Sequence, residues 1–231
     1  MGAASLRQSF EKIRLTARRH GPLGALHDLA LKAVNPIARF KILRGVWIGR
    51  VDPEFLSPPE PFTSMFLTGE RLRRFGTDPA NNMRESFLEE ALAKGDECYG
   101  ILDGTTLASY GWYSTTPSRI EPPDLILKFS RDYVYMYKGL THPAYRGQRL
   151  HAIGMTLALR HFLAKGFKGL VSYVESNNFD SLKSTLRMGY AVFGSIYVMT
   201  LFGRTFTRAS GGCERFGVSL EGERRMGAFA R

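Results

Sequence analysis

The chain has few of the features that would place it outside the ordinary run of intracellular globular proteins. Its two cysteines, Cys98 and Cys213, stand far apart and form neither a metal-binding pattern nor a disulfide framework. No apolar run approaches the ~18–20 residues that span a bilayer. The opening MGAASLRQSF lacks the apolar segment and cleavage site of a secretory signal, and Leu6 occupies the place where an N-myristoylation signal needs Ser or Thr. Internal repeats and low-complexity tracts are missing too. A cytoplasmic location is the resulting expectation, and with 44% hydrophobic and 23% charged residues wholesale disorder is excluded.

What is present in excess is positive charge, +11 over 231 residues, and its placement is uneven. Residues 1–50 hold ten Lys or Arg against two acids, and residues 204–231 hold six against three, so the middle of the chain is neutral. Basic flanks attract anionic lipid, nucleic acid or an acidic protein, or simply form a solvated face. Base-stacking aromatics are not interleaved with the basic runs, which argues against nucleic acid.

In SLRQSFEKIRLTARRHG, Leu6, Phe10, Ile13 and Ala17 share one helical stripe bordered by arginines. Such a helix either packs on its own domain or lies peripherally on an anionic membrane through residues 1–20. GPLG then breaks it before a second short apolar helix that ends near Asn35-Pro36. FKILRGVWIGRVD is a strand candidate, and PEFLSPPEP reads as a linker. These features divide the chain into an N-terminal extension over 1–61, a compact domain over 62–205, and a loosely held glycine-rich tail over 206–231.

Within the compact part, Thr68 caps a helix that stops at Gly76, and PANNMRESFLEEALAKG is a second helix ended by glycine. Two strand-like runs flank Asp103-Gly104, a dipeptide suited to a type I′ hairpin turn. Residues 114–132 read as a proline-bearing loop. Strand 133–141, helix 149–165, strand 169–175 and helix 179–188 follow, then YAVFGSIYVMTLFGRTF. The fold class is α/β (α+β), with antiparallel strands early and a strand–helix–strand unit later.

That unit carries the motif YRGQRLH. A helix's first N–H groups have no partner within the helix and lie at the positive end of its dipole. A glycine-containing turn entering such a terminus makes an anion site, and Arg146 and Arg149 add two charges beside Gly147. Phosphate or pyrophosphate is the expected guest; standing alone, RGxR reads equally as a surface turn with solvated arginines.

The stretch THPAYRGQRLHAIGMTLAL resembles the acyl-CoA-binding motif of the GNAT superfamily of N-acetyltransferases, whose pattern is Q/R-x-x-G-x-G/A. Arg146 fills the first position, while Arg149 and His151 replace the two glycines. Downstream, VESNNFDSLKSTLRMGYAVFG resembles the family's fifth strand and following helix, with Asn178, Ser181 and Gly189-Tyr190 in matching places. The resemblance covers roughly residues 62–205. It implies a central mixed, mostly antiparallel sheet flanked by helices, with the fourth and fifth strands splayed.

The same resemblance implies an acyl-CoA-dependent N-acyltransferase, most simply one that moves an acetyl group from acetyl-CoA to a small amine or amino sugar. Leu140 and Thr141 would hold the pantetheine arm, the amides and side chains of Gly147, Gln148, Arg149, Leu150 and His151 with Arg146 would take the pyrophosphate, and Asn178 and Ser181 would close the far side. No metal is implied. The family's glutamate base falls at Tyr135 and its tyrosine acid at Thr185, so neither standard group is present. Glu175, sharing a strand face with Tyr173, is the candidate base, against the plainer reading of a strand-end surface residue; Tyr137 is the candidate acid or positioning residue. Two alternatives stay open: a long-chain N-acyl amino acid synthase that takes its acyl group from acyl carrier protein, and a non-catalytic module that retains the cleft.

Overall fold

The computed structural model describes residues 3–36, 38–120 and 124–222. The first helix, α1 (Ala3–Val34), is two helical pieces joined at Gly21, whose φ of 79° breaks the helical path just before Pro22. The expected break at GPLG is therefore present. The side chains of Leu6, Phe10 and Ile13 lie outside the described part of the chain; Ala17 is half-buried.

The strands are β1 (Arg39–Ile48), β2 (Thr63–Phe66), β3 (Glu97–Asp103), β4 (Thr106–Ser114), β5 (Ser118–Ile120), β6 (Leu125–Lys128), β7 (Val134–Thr141), β8 (Leu170–Glu175), β9 (Ala191–Leu201), β10 (Arg204–Ala209) and β11 (Ser219–Gly222). Between them run α2 (Gly69–Gly76), α3 (Glu85–Lys94), α4 (Leu150–Ala164) and α5 (Phe179–Arg187). Local chemistry sets most boundaries. Thr68 Oγ1 accepts from the Arg71 amide to open α2, and Gly95, at φ 81°, closes α3. In the β3–β4 hairpin Asp103 pairs with Thr106, so the two-residue turn is Gly104-Thr105, one position beyond the expected dipeptide, with Gly104 at φ 55°.

Eight strands form one sheet in the order β10-β9-β1-β8-β7-β4-β3-β2, antiparallel at every pairing except β7 with β8. One face packs on α4 through Val46, Val134, Met155, Leu159, Phe162 and Leu170. The other carries Leu43, Tyr135, Val171, Ile196 and Val198 against Cys213 and Phe216, and farther along Trp112 and Tyr110 against α2 and α3.

Three sequence boundaries need correction. Residues 39–48 do not belong to an extension: β1 lies inside the sheet, paired to β8 from Leu43 to Ile48 and to β9 along its length. Its apolar core segment is what a strand covered on both faces requires, and its basic residues are accommodated at the ends and by partners such as Ser195, which accepts from Arg44 at 2.7 Å. Residues 114–132 are not wholly irregular, because β5 and β6 form a small second sheet with β11. The tail is held as far as residue 222: Cys213 and Phe216 are buried, and Phe216 stacks on Phe193 at 4.3 Å. Its later residues lie outside the described part.

Candidate active site

β7 and β8 run parallel for only two paired positions, Val134 with Leu170 and Tyr135 with Val171. Ser172 Oγ then donates to the Met136 carbonyl at 2.7 Å, and no further strand pairing follows. The two strands splay from there, leaving a gap toward the N-terminus of α4. Against β4, β7 is also irregular: Trp112 pairs with Lys138 and Tyr113 with Met136, so Tyr137 is the extra residue of a bulge beside the gap.

The backbone at the end of β7 has two edges. The Leu140 carbonyl accepts from Ser109 Oγ at 3.1 Å and the His142 amide donates to the Ala108 carbonyl, so both face β4. By alternation the polar groups of Gly139 and Thr141 face the gap. The backbone groups of Thr141 therefore face the gap, as do those of Gly139, whereas those of Leu140, expected to face it, are turned to β4. Gly139 also leaves room for its neighbours, because a Cβ there would press on His151 Cε1 and Met136 Cε. Burial in that packing holds the His151 imidazole below its usual pKa.

The turn itself places Arg146 extended and exposed, Gly147 at φ 85°, and Arg149 left-handed at φ 58° as the residue capping α4. Arg149 supplies no side-chain cap, so the first amides of α4, beginning at Leu150 and His151, keep their donor capacity. The Leu150 side chain is buried in the core and Gln148 is exposed. The Arg149 guanidinium is turned onto Glu54, an ion pair exposed on both sides and worth roughly 0–1 kcal/mol. Arg146 has no such partner among the described residues.

Asn178 and Ser181 have structural work of their own. Asn178 Oδ1 caps α5 by accepting from the Ser181 amide at 3.2 Å. Beside them Phe179 stacks on His20 of α1 at 4.9 Å, so α1 covers this end of α5. Glu175 and Tyr137 line different cavities. Glu175 accepts from Lys41 Nζ at 2.9 Å and borders a cavity with Leu31, Phe40 and Ile42. The candidate base is thus paired with a lysine of β1 and borders a different cavity from Tyr137.

Tyr137 borders a larger cavity of about 390 Å³ with Arg84, Phe87, Glu90, Lys94, Asp96 and Ser118. Its hydroxyl donates to Asp96 Oδ2 at 2.8 Å, and Lys94 Nζ lies 2.9 Å from the same oxygen and 2.9 Å from Ser118 Oγ. The Asp96 side chain is only 2% exposed. Burial, and then the Asp96 charge, push the Tyr137 phenol well above its usual pKa. A phenol in that state is a poor proton donor to a thiolate. Tyr135 is fully buried, stacked between Tyr137 at 5.7 Å and Tyr173 at 6.3 Å, and forms part of the wall.

The sequence around Asp96 and Lys94 carries no mark of this cluster. LAKGDEC reads as a helix end followed by a strand, and nothing local indicates that Asp96 is buried under a tyrosine from β7.

No family model and no curated protein matches the sequence. Solved structures do. A GCN5-related N-acetyltransferase from Sphaerobacter thermophilus aligns at TM-score 0.51 and 13% identity, over 74% of this chain and 54% of that one. A structure described as an acetyltransferase of the GNAT family from Novosphingobium aromaticivorans aligns at 0.49 and 15%, over 71% and 66%. A GNAT-family acetyltransferase from Colwellia psychrerythraea aligns at 0.48 and 16%, over 74% and 61%. The match thus spans little more than half to two thirds of these proteins. With its sheet order, its one parallel pair and the gap beside it, this chain has the GNAT fold.

Proposed function

We propose that the protein is an acyl-CoA-dependent N-acyltransferase, most simply an N-acetyltransferase, acting on a primary amine of a small molecule or amino sugar. The observation that carries this reading is the gap between β7 and β8, which joins two half-sites. On one side are Gly139 and Thr141, whose backbone groups suit an amide-bearing pantetheine arm; on the other are the uncapped start of α4, Gly147 and Arg146, which suit a pyrophosphate. A bound acyl-CoA supplies an activated thioester.

The chain's own residues do the positioning. The cavity around Tyr137, bordered by Arg84, Lys94 and Arg119 as well as Glu90, offers a neutral amine the hydroxyl oxygen of Tyr137, whose proton is committed to Asp96. Tyr137 is thereby a hydrogen-bond acceptor for the incoming amine, placed at the bulge next to the donor gap. Solvent removes the amine's proton and supplies the thiolate's, because neither Glu175 nor Tyr137 is suited to that work.

Acyl carrier protein is a second possible donor, favoured by the exposed Arg146 and the basic flanks, since it presents the same pantetheine arm on an acidic surface. A thiol-release assay with a panel of primary amines tests the reading. Amine-dependent thiol release from acetyl-CoA, a longer acyl-CoA or acyl carrier protein identifies the donor. Release from none of them, with intact donor binding, points instead to a non-catalytic module.

A further inference from the structure

We propose that the outer face of α1 and the adjoining β9–β10 hairpin form a docking surface for an anionic lipid bilayer. Among the described residues ten large apolar side chains are exposed, and nine of them lie on α1, β9, β10 or the turn between those strands. A random scatter of surface apolar residues needs no explanation, but a concentration of this kind does.

On α1 the geometry is inverted relative to an ordinary surface helix. Its inner side is satisfied: Ala25 and Leu31 are buried, and His27 Nε2 meets Ser176 Oγ at 2.9 Å. The outer stripe, at intervals of three, four and three, is Leu23, Leu26, Ala30 and Ala33, all exposed, with Leu23 at 80% and Leu26 at 62%. A helix that is apolar toward its domain and apolar away from it has a second apolar environment to meet.

The hairpin continues this surface. By alternation Phe40 and Ile42 share the face of β1 that bears Val46 and Ile48, which packs on α4 and on Met188 and Tyr190 at the end of α5; α5 in turn stacks Phe179 on His20 of α1, so α1 lies on that side. In register, Ile42 faces Tyr197, Phe40 faces Met199 and Met199 faces Phe206, so exposed Tyr197 and Phe206 share the side that α1 occupies. At the hairpin tip, Phe202 is 94% exposed.

Charge selects the occupant. Arg204, Phe206 and Arg208 alternate onto one face of β10, and β1, β9 and β10 contain no acidic residue. Exposed Arg14, Arg18 and Arg19 lie on α1 itself. No ion pair among the described residues engages Arg204 or Arg208. A second copy of the chain would set these arginines against their own kind, whereas an anionic headgroup layer neutralises them while the leucines and phenylalanines enter the interface. No helix of the described residues is long and apolar enough to cross a membrane, so the contact is peripheral.

Co-sedimentation of the full chain with vesicles tests this, independently of any enzymatic activity. Binding is expected to vesicles of phosphatidylcholine mixed with phosphatidylglycerol at low salt, to be weak to phosphatidylcholine alone, and to fall as salt rises. Arg204→Glu with Arg208→Glu, and separately Leu26→Ser with Phe202→Ser, are each expected to reduce the bound fraction by about ten-fold. All four positions are exposed, so unchanged melting temperatures serve as the folding control. The proposal is overturned if the wild-type chain stays in the supernatant with anionic vesicles at low salt. It is equally overturned if the chain is a dimer that the Leu26→Ser, Phe202→Ser variant converts to a monomer, because the surface then belongs to a second copy.

Discussion

The hydroxyl of Tyr137 reaches Asp96, 41 residues earlier in the chain, at 2.8 Å, and the bond gives each residue its character. Asp96 is buried as a carboxylate with two donors, Tyr137 and Lys94; Tyr137 is fixed as a neutral phenol beside the donor gap. Removing the hydroxyl with Tyr137→Phe is expected to raise KM for the amine about five- to ten-fold while leaving acyl-CoA affinity unchanged, the size of one lost hydrogen bond between neutral groups. Steady-state kinetics against both substrates checks it. A fall in kcat alone at constant amine KM would return Tyr137 to the role of acid.

Asp96→Ala has a different expected signature. It removes the acceptor for Lys94 and Tyr137 together, leaving a partly buried ammonium without its counter-charge. A loss of about 2–3 kcal/mol in urea unfolding is expected, toward the low side for a broken buried pair because Lys94 is partly open to water. An unchanged unfolding midpoint would mean that the pair contributes no net stability.

At Gly139 the limit is steric. An alanine Cβ would press on His151 Cε1 and lie 2.9 Å from Met136 Cε, both side-chain atoms that can yield. Gly139→Ala is expected to cost about 1–2 kcal/mol of stability and to weaken acyl-CoA binding by shifting His151 beside the turn. Thermal melts and calorimetry on one preparation measure both quantities.

Acidification supplies a test of the packing around α4. Burial lowers the pKa of His151 and of His161 from the usual 6.5, the latter helped by the Lys165 charge. Below about pH 6.5 the unfolded chain therefore binds more protons than the folded one, and stability falls as pH falls. The unfolding free energy is expected to decline from pH 7 to pH 5, with a shallower slope in His151→Gln. An identical slope in the variant would show that His151 titrates alike in both states.

The sequence displayed this site unevenly, for reasons that lie in particular residues. Thr68, Gly95, Gly147 and Gly166 act locally, through caps and left-handed turns, so the strand–turn–helix and its neighbours were legible at nearly their true boundaries. The position of β1 was not, because its insertion between β8 and β9 depends on which strands lie side by side, and its basic residues resembled those of the preceding helix. For the same reason Glu175 looked available, since Lys41 is 134 residues away in sequence. Leu140 and Gly139 were exchanged because strand alternation fixes a phase only once one hydrogen bond, here Ser109 to Leu140, is known.

The most direct test of the account is a calorimetric titration of the wild-type chain and of Arg146→Glu with acetyl-CoA. One molecule per chain is expected to bind the wild type, with affinity in the variant weaker by roughly ten- to a hundred-fold, the range for charge-assisted hydrogen bonds turned to repulsion. Arg149→Ala, whose guanidinium already pairs with Glu54, is expected to change affinity much less. Absence of binding to the wild type, or equal affinity in Arg146→Glu, would contradict the assignment of the gap between β7 and β8 and the start of α4 as the acyl-CoA site.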